Sequence, residues 1–188
     1  MASDTEICNL ALRKLGEARI TSLTEDSPAA RTLSDVYEFA RDATLRDHPW
    51  NFATKRATLA ADATAPAYEF DVRYAVPSDC LRVLGADIDD GSEPWKVEGG
   101  YILTNATAPL YIKYIARIED EGLFDASFVN AFASRLAYEV AETITQNTQK
   151  KEAMARDYEV SIRNAKKSDA QEGTPDDYPE DDWVVARL

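Results

Sequence analysis

Apolar positions in the first 48 residues recur with the period of a helix. Ile7, Cys8, Ala11, Leu12 and Leu15 fall on one face. Ser3 and Glu6 have capping-box spacing, in which each side chain satisfies a backbone donor at the helix start. Gly16 suits the left-handed turn that ends such a helix. A second helix is predicted from Ser27 as its cap and Pro28 at its first position, where the missing N–H has no partner to lose. Its apolar stripe is Leu33, Val36, Ala40 and Ala43, with Arg31, Asp35, Glu38, Arg41 and Asp42 facing elsewhere. Pro49 disfavours helical backbone at His48, so this helix should stop there.

The period then changes from helical to alternating. In "YEFDVRYAV", Tyr68, Phe70, Val72, Tyr74 and Val76 alternate with Glu69, Asp71, Arg73 and Ala75, the pattern of a strand with one buried face. "CLRVLGADI" offers another strand. "WKVEGGYILT" predicts a hairpin, with Gly99 and Gly100 taking the positive φ angles of a tight turn. A further strand follows Pro109, with Leu110, Ile112, Tyr114 and Ala116 on one face.

Helical spacing returns with Phe128, Phe132, Leu136, Val140 and Ile144, and again with Met154, Tyr158 and Ile162. Glu152–Arg156 and Glu159–Arg163 have the acid-first spacing that supports a helix modestly. The expected fold is therefore α+β: a four-helix bundle of two N-terminal and two C-terminal helices, with an inserted small antiparallel β-sheet module and an extended acidic C-terminal tail. The expected divisions are 1–49 and 119–169 for the two helical hairpins, 50–118 for the β module and 170–188 for the tail.

Composition narrows the function. The chain has 188 residues and a formal net charge of −13, which disfavours gripping phosphate backbones, a task for Lys and Arg. Cys8 and Cys80 lack the number and spacing of a disulfide framework and read as buried thiols. The stretch "MASDTEICNLALRKLG" lacks signal-peptide character, and no apolar run approaches the roughly 20 residues that span a bilayer. A soluble chain of a reducing compartment, without membrane association, is expected.

No catalytic or metal constellation emerges. His48 is the sole histidine, so a multi-histidine site is excluded, and no nucleophile-elbow signature accompanies it. A helix-end histidine, favoured as a cation by the helix dipole or bonded to a carbonyl, is the expected role. In "DIDDGSEPWKVE", Asp87, Asp89 and Glu98 sit at calcium-loop positions 1, 3 and 12, but Gly91 stands where the third ligand belongs and Ser92 replaces the required glycine. An acidic turn between strands is the better reading. Neither an enzyme nor a cofactor is expected.

Residues 169–188, "DAQEGTPDDYPEDDWVVARL", carry seven acids and one arginine. Gly173, Pro175 and Pro179 argue against helix or central strand. Trp183, Val184, Val185 and Leu188 then form an apolar end that a purely solvating tail would not need. Aromatic anchors dominate interface energies, so this end is expected to dock on another chain, with folding back on its own domain as the alternative.

There remains "LRDHPWNFATKRATLA", residues 45–60. Here His48, Pro49, Trp50, Asn51 and Phe52 cluster at the predicted helix end. This stretch resembles the hallmark of the head-to-tail adaptors of short-tailed bacteriophages, the tail tubular protein A family. "ALRKLGEARITSLTEDSPAART", "YAVPSDCLRVL", "WKVEGGYILTNATAPLYIKYIARI" and "LFDASFVNAFASRLAYEVAETIT" resemble that family in the expected order, over roughly residues 5–165. The resemblance implies a non-enzymatic virion protein at the head–tail junction, made and assembled in the bacterial host cytoplasm. It implies a ring, typically of twelve copies, between the portal protein and a tail nozzle like tail tubular protein B, with genomic DNA passing through the channel without specific binding. Under it, residues 48–52 are a structural junction: Pro49 ends the helix, Trp50 and Phe52 plug the seam between bundle and sheet, and Asn51 bonds backbone at the turn. A head completion protein of a long-tailed phage and a small acidic enzyme with an unrecognised site are the rival classes.

Overall fold

The computed structural model describes residues 2–87 and 93–172. Helix α1 (Asp4–Leu15) opens on a complete capping box: Ser3 Oγ accepts from the Glu6 N–H at 3.2 Å, and the Glu6 carboxylate accepts from the Ser3 N–H at 3.0 Å. Gly16, at φ 75°, closes it. Buried Asn9 then pins the following loop, exchanging two hydrogen bonds with the backbone of Ile20 at 2.9 and 3.0 Å. Helix α2 (Pro28–Arg46) starts under the Ser27 hydroxyl, which accepts from the Ala30 N–H at 3.2 Å. Helices α3 (Ala126–Thr145) and α4 (Thr148–Ala170) are capped by Asp125 and Asn147. Glu152–Arg156 and Glu159–Arg163 form no ion pair; α4 is tied across helices instead, Asp157 holding Lys14 of α1 at 2.9 Å.

The strands are β1 (Thr54–Leu59), β2 (Val72–Ala75), β3 (Cys80–Asp87), β4 (Trp95–Glu98), β5 (Tyr101–Thr104) and β6 (Leu110–Ala116). All pairings are antiparallel. Gly99 and Gly100, at φ 57° and 82°, make the two-residue turn between β4 and β5. The alternation from Tyr68 overstates β2, which begins only at Val72. Glu69 adopts φ 72° and Tyr68 is 81% exposed, so the backbone turns where the pattern called for extension.

The α+β class agrees with these elements, but the four-helix bundle with one inserted sheet does not. Helix α3 is a hub on which α1, α2 and α4 each pack. The strands form two three-stranded sheets, ordered β1-β6-β3 and β2-β5-β4, where one module was expected. The reason lies in α3 itself. Beside the expected Phe128, Phe132, Leu136 and Val140, it buries Ala131, Ala133, Ser134, Ala137 and Ala141. A helix with so broad an apolar face belongs at the centre of a core, and its small residues let three neighbours approach. Nor does the sheet stand apart: Leu110, Ile112, Tyr114, Ile115 and Ala116 of β6 share one buried cluster with the helices.

Candidate functional site

Residues 48–52 lie where α2, β1, α3 and the end of α4 meet. Asp47 closes α2, and the chain folds back so that the Trp50 indole N–H donates to the Thr44 carbonyl at 3.0 Å. That carbonyl is among the last of α2, which lack partners within the helix. Trp50 is fully buried. Its ring lies edge-on to Phe128 of α3 at 5.1 Å between centroids and to His48 at 4.8 Å. Phe52 packs on Phe128 at 5.0 Å and on Phe124 at 5.9 Å. A single 3₁₀ turn at Asn51–Ala53 leads into β1, with the Thr54 hydroxyl donating to the Trp50 carbonyl at 2.8 Å.

The fastening to α4 was not legible in the sequence. Asp169 is buried on the last turn of that helix. Its carboxylate meets His48 Nε2 at 3.0 Å and accepts from the Asn51 backbone N–H at 3.0 Å. Asn51 Nδ2 donates to the Asp169 carbonyl at 2.8 Å. Asn51 therefore bonds a backbone carbonyl, that of Asp169, and caps the C-terminus of α4. A carboxylate at a helix C-terminus is opposed by the helix dipole, and the imidazole and the Asn51 backbone N–H offset that cost. Asp169 falls at the end of the expected helical hairpin, but its role in the junction was not legible, since no local pattern separates it from the acids that follow. Nearby, Tyr158 of α4 donates its hydroxyl to Asp47 at 2.9 Å, and the Arg135 guanidinium of α3 lies 5.3 Å over the Tyr158 ring.

Electrostatics gives His48 a structural task. Burial pushes its pKa below the ordinary histidine value; the Asp169 carboxylate pulls upward, and Lys166 and Arg82 push down. The His48 side chain thus meets the Asp169 carboxylate where a backbone carbonyl was one expected partner. Among the described residues its side-chain hydrogen-bond partner is Asp169, and no hydroxyl or thiol is poised beside it for activation. Burial likewise raises the Cys8 thiol to about 12, and both cysteines are free, Cys8 buried and Cys80 half-buried.

Among the described residues, no group of three or more His, Cys, Asp and Glu side chains has the geometry to hold a metal ion. None of the described helices is long and apolar enough to cross a membrane. Asp87 ends β3 and Glu98 ends β4, strands where an EF-hand has helices; Asp89, Gly91 and Ser92 lie outside the described residues. Two open grooves, of about 630 Å³ along α1 and about 550 Å³ on the β1-β6-β3 sheet, are lined by residues other than His48. Trp183, Val184, Val185 and Leu188 lie outside the described residues. Fold and junction thus define an α+β protein built around one central helix. No protein-family model matches the chain, and no curated protein matches it either.

Proposed function

We propose that this protein is a structural virion component, a head-to-tail adaptor that forms a ring between portal and tail nozzle and lines the DNA exit channel. The observation that carries the reading is the use made of residues 48–52. The stretch that resembles the adaptor hallmark spends the only imidazole, an indole and an amide on fastening α2, β1 and α4 around Phe128. A chain whose one acid–base group near neutrality is consumed by architecture acts through its surfaces.

Two features support that use of surface. Phe39, Tyr68, Leu123 and Val160 stand more than half exposed on different elements, available to neighbours in an assembly. The net charge of −13, repeated around a ring, repels phosphates and lets duplex DNA pass. Trp183, Val184, Val185 and Leu188 are the proposed hook on the portal or an adjacent subunit.

The test mixes the purified chain with its cognate portal and images the product, with native mass in parallel. A closed ring of defined copy number on the portal is expected. The chain cut before Trp183 should fold yet fail to load, with a penalty on the order of 2 kcal/mol or more per hot spot. Normal loading of that chain removes the hook, and indifference of the full chain to portal removes the adaptor reading.

A further inference from the structure

The outer face of the β1-β6-β3 sheet departs from the acidic character of the chain. Arg56 of β1 stands opposite Lys113 of β6, with Gly85 of β3 on the other side of Lys113, and Thr58, Tyr111 and Asp87 form the next row. These six residues line the groove of about 550 Å³. Gly85 is its open floor, since a Cβ there would meet nothing within 4 Å. Arg56 and Lys113 are exposed and take part in none of the ion pairs among the described residues. Asp87 is the groove's one carboxylate among the residues that line it. The positive character extends towards the junction: Arg82 of β3 donates to the Arg46 carbonyl at 3.1 Å, and Arg82 and Lys166 both bear electrostatically on His48.

The described chain ends beside this band. Asp169 is hydrogen-bonded to Asn51, and Arg56 lies five residues further along from Asn51, hence within about 18 Å of it. The sixteen residues 173–188 then carry Asp176, Asp177, Glu180, Asp181 and Asp182 against a single Arg187, followed by the apolar end. Extended, sixteen residues reach at most about 55 Å, more than the distance to the groove requires. We infer that the acidic C-terminal segment of the chain docks on the outer face of its own β1-β6-β3 sheet, its carboxylates against Arg56 and Lys113 and its apolar end in the groove beside Tyr111. A surface where two cations adjoin an aromatic ring, 51% exposed in the case of Tyr111, is complementary to an acidic run ending in Trp183. The inference goes beyond the adaptor reading and does not depend on it. If both hold, the hook is held on its own subunit before the portal is met.

The experiment uses the full-length chain and a dye-labelled peptide of residues 173–188, followed by fluorescence anisotropy. A full-length variant with Asp176→Asn, Asp177→Asn, Glu180→Gln, Asp181→Asn and Asp182→Asn frees the face. Because a tethered segment competes at an effective concentration in the millimolar range, the unaltered chain should bind the peptide at least about 10-fold more weakly than this variant. Adding Arg56→Glu and Lys113→Glu should abolish peptide binding, and adding Gly85→Phe should do so without changing charge, with circular dichroism verifying that each chain is folded. Equal affinity for the unaltered and neutralised chains overturns the inference, as does peptide binding that survives Gly85→Phe and the charge reversals. Duplex DNA binding to the freed face in place of the peptide overturns it too, assigning the face to phosphates. A difference between the chains that vanishes when sedimentation shows them monomeric assigns the segment to a neighbouring copy and overturns docking within one chain. None of these measurements uses portal, so their failure is distinct from failure of the adaptor reading.

Discussion

At the junction, Trp50 is fully buried, its indole N–H is bonded to a helix-end carbonyl, and four aromatic rings surround or adjoin Phe128. In the β2-β5-β4 sheet, Trp95 is only half-buried, Val97 is 49% exposed and Tyr68, just before β2, is 81% exposed. The same residue types do opposite things in the two places. Around Trp50 they are covered on every side by α2, α3 and β1, and they supply stability. In the second sheet only Tyr74, Ile102 and Thr104 reach the interior fully. Strand β4 also ends its sheet, which leaves one row of backbone donors and acceptors without a neighbouring strand among the described residues. One region is finished by the chain's own fold; the other presents surface that another chain can finish.

Substitutions break this contrast in a definite order. Trp50→Ala removes a fully buried ring and leaves its space between packed helices, so chemical denaturation should show a loss of about 3–5 kcal/mol. Asp169→Ala leaves the His48 ring N–H and the Asn51 backbone N–H without their partner and should cost about 1–3 kcal/mol in the same measurement. A loss below 0.5 kcal/mol would mean that α4 is not fastened there.

The pH dependence of stability sharpens the same point. Burial lowers the His48 pKa in the folded state, so the unfolded chain binds the extra proton first as pH falls. The His48 contribution is therefore complete above the ordinary histidine value of about 6.5 and is lost as pH falls from there through the lower folded value. His48→Gln should flatten that part of the profile between pH 7.5 and 5. An unchanged profile would show that the imidazole titrates as it does in the unfolded chain.

On the other side of the contrast, Val97→Lys should change stability by no more than about 0.5 kcal/mol, as exposed positions do. It should nonetheless impair ring formation on portal if the β4 edge meets a neighbour. Comparably small, Lys14→Ala opens the partly exposed link to Asp157 and should cost about 0.2–1 kcal/mol.

The sequence by itself determined whatever depends on neighbours within a few positions. The Ser3–Glu6 box, the Ser27–Pro28 start, the Gly99–Gly100 turn and the stripe of α1 rest on short-range stereochemistry, and each is visible in the order of residues. The stripes of α2 and α4 were only partly so: α2 buries Tyr37 and Arg41 beside Leu33 and Ala40, with Val36 and Ala43 half-buried. Helix α4 buries Ser161, Ala165 and Asp169, and the expected Met154, Tyr158 and Ile162 stay half-buried. Which faces meet was a different matter. Periodicity shows that α3 has an apolar face, yet only the packed structure reveals that Ala131, Ala133, Ala137 and Ala141 widen that face until three helices share it. In the same way, alternation carried on through Tyr68 and Glu69, where the backbone turns at Glu69 instead. The partner of His48 lies 121 residues away. No spacing rule connects a helix end to a carboxylate at that separation, because the pairing is made by burial: once α4 packs on α3, Asp169 has to be satisfied, and the donors within reach are those of His48 and Asn51.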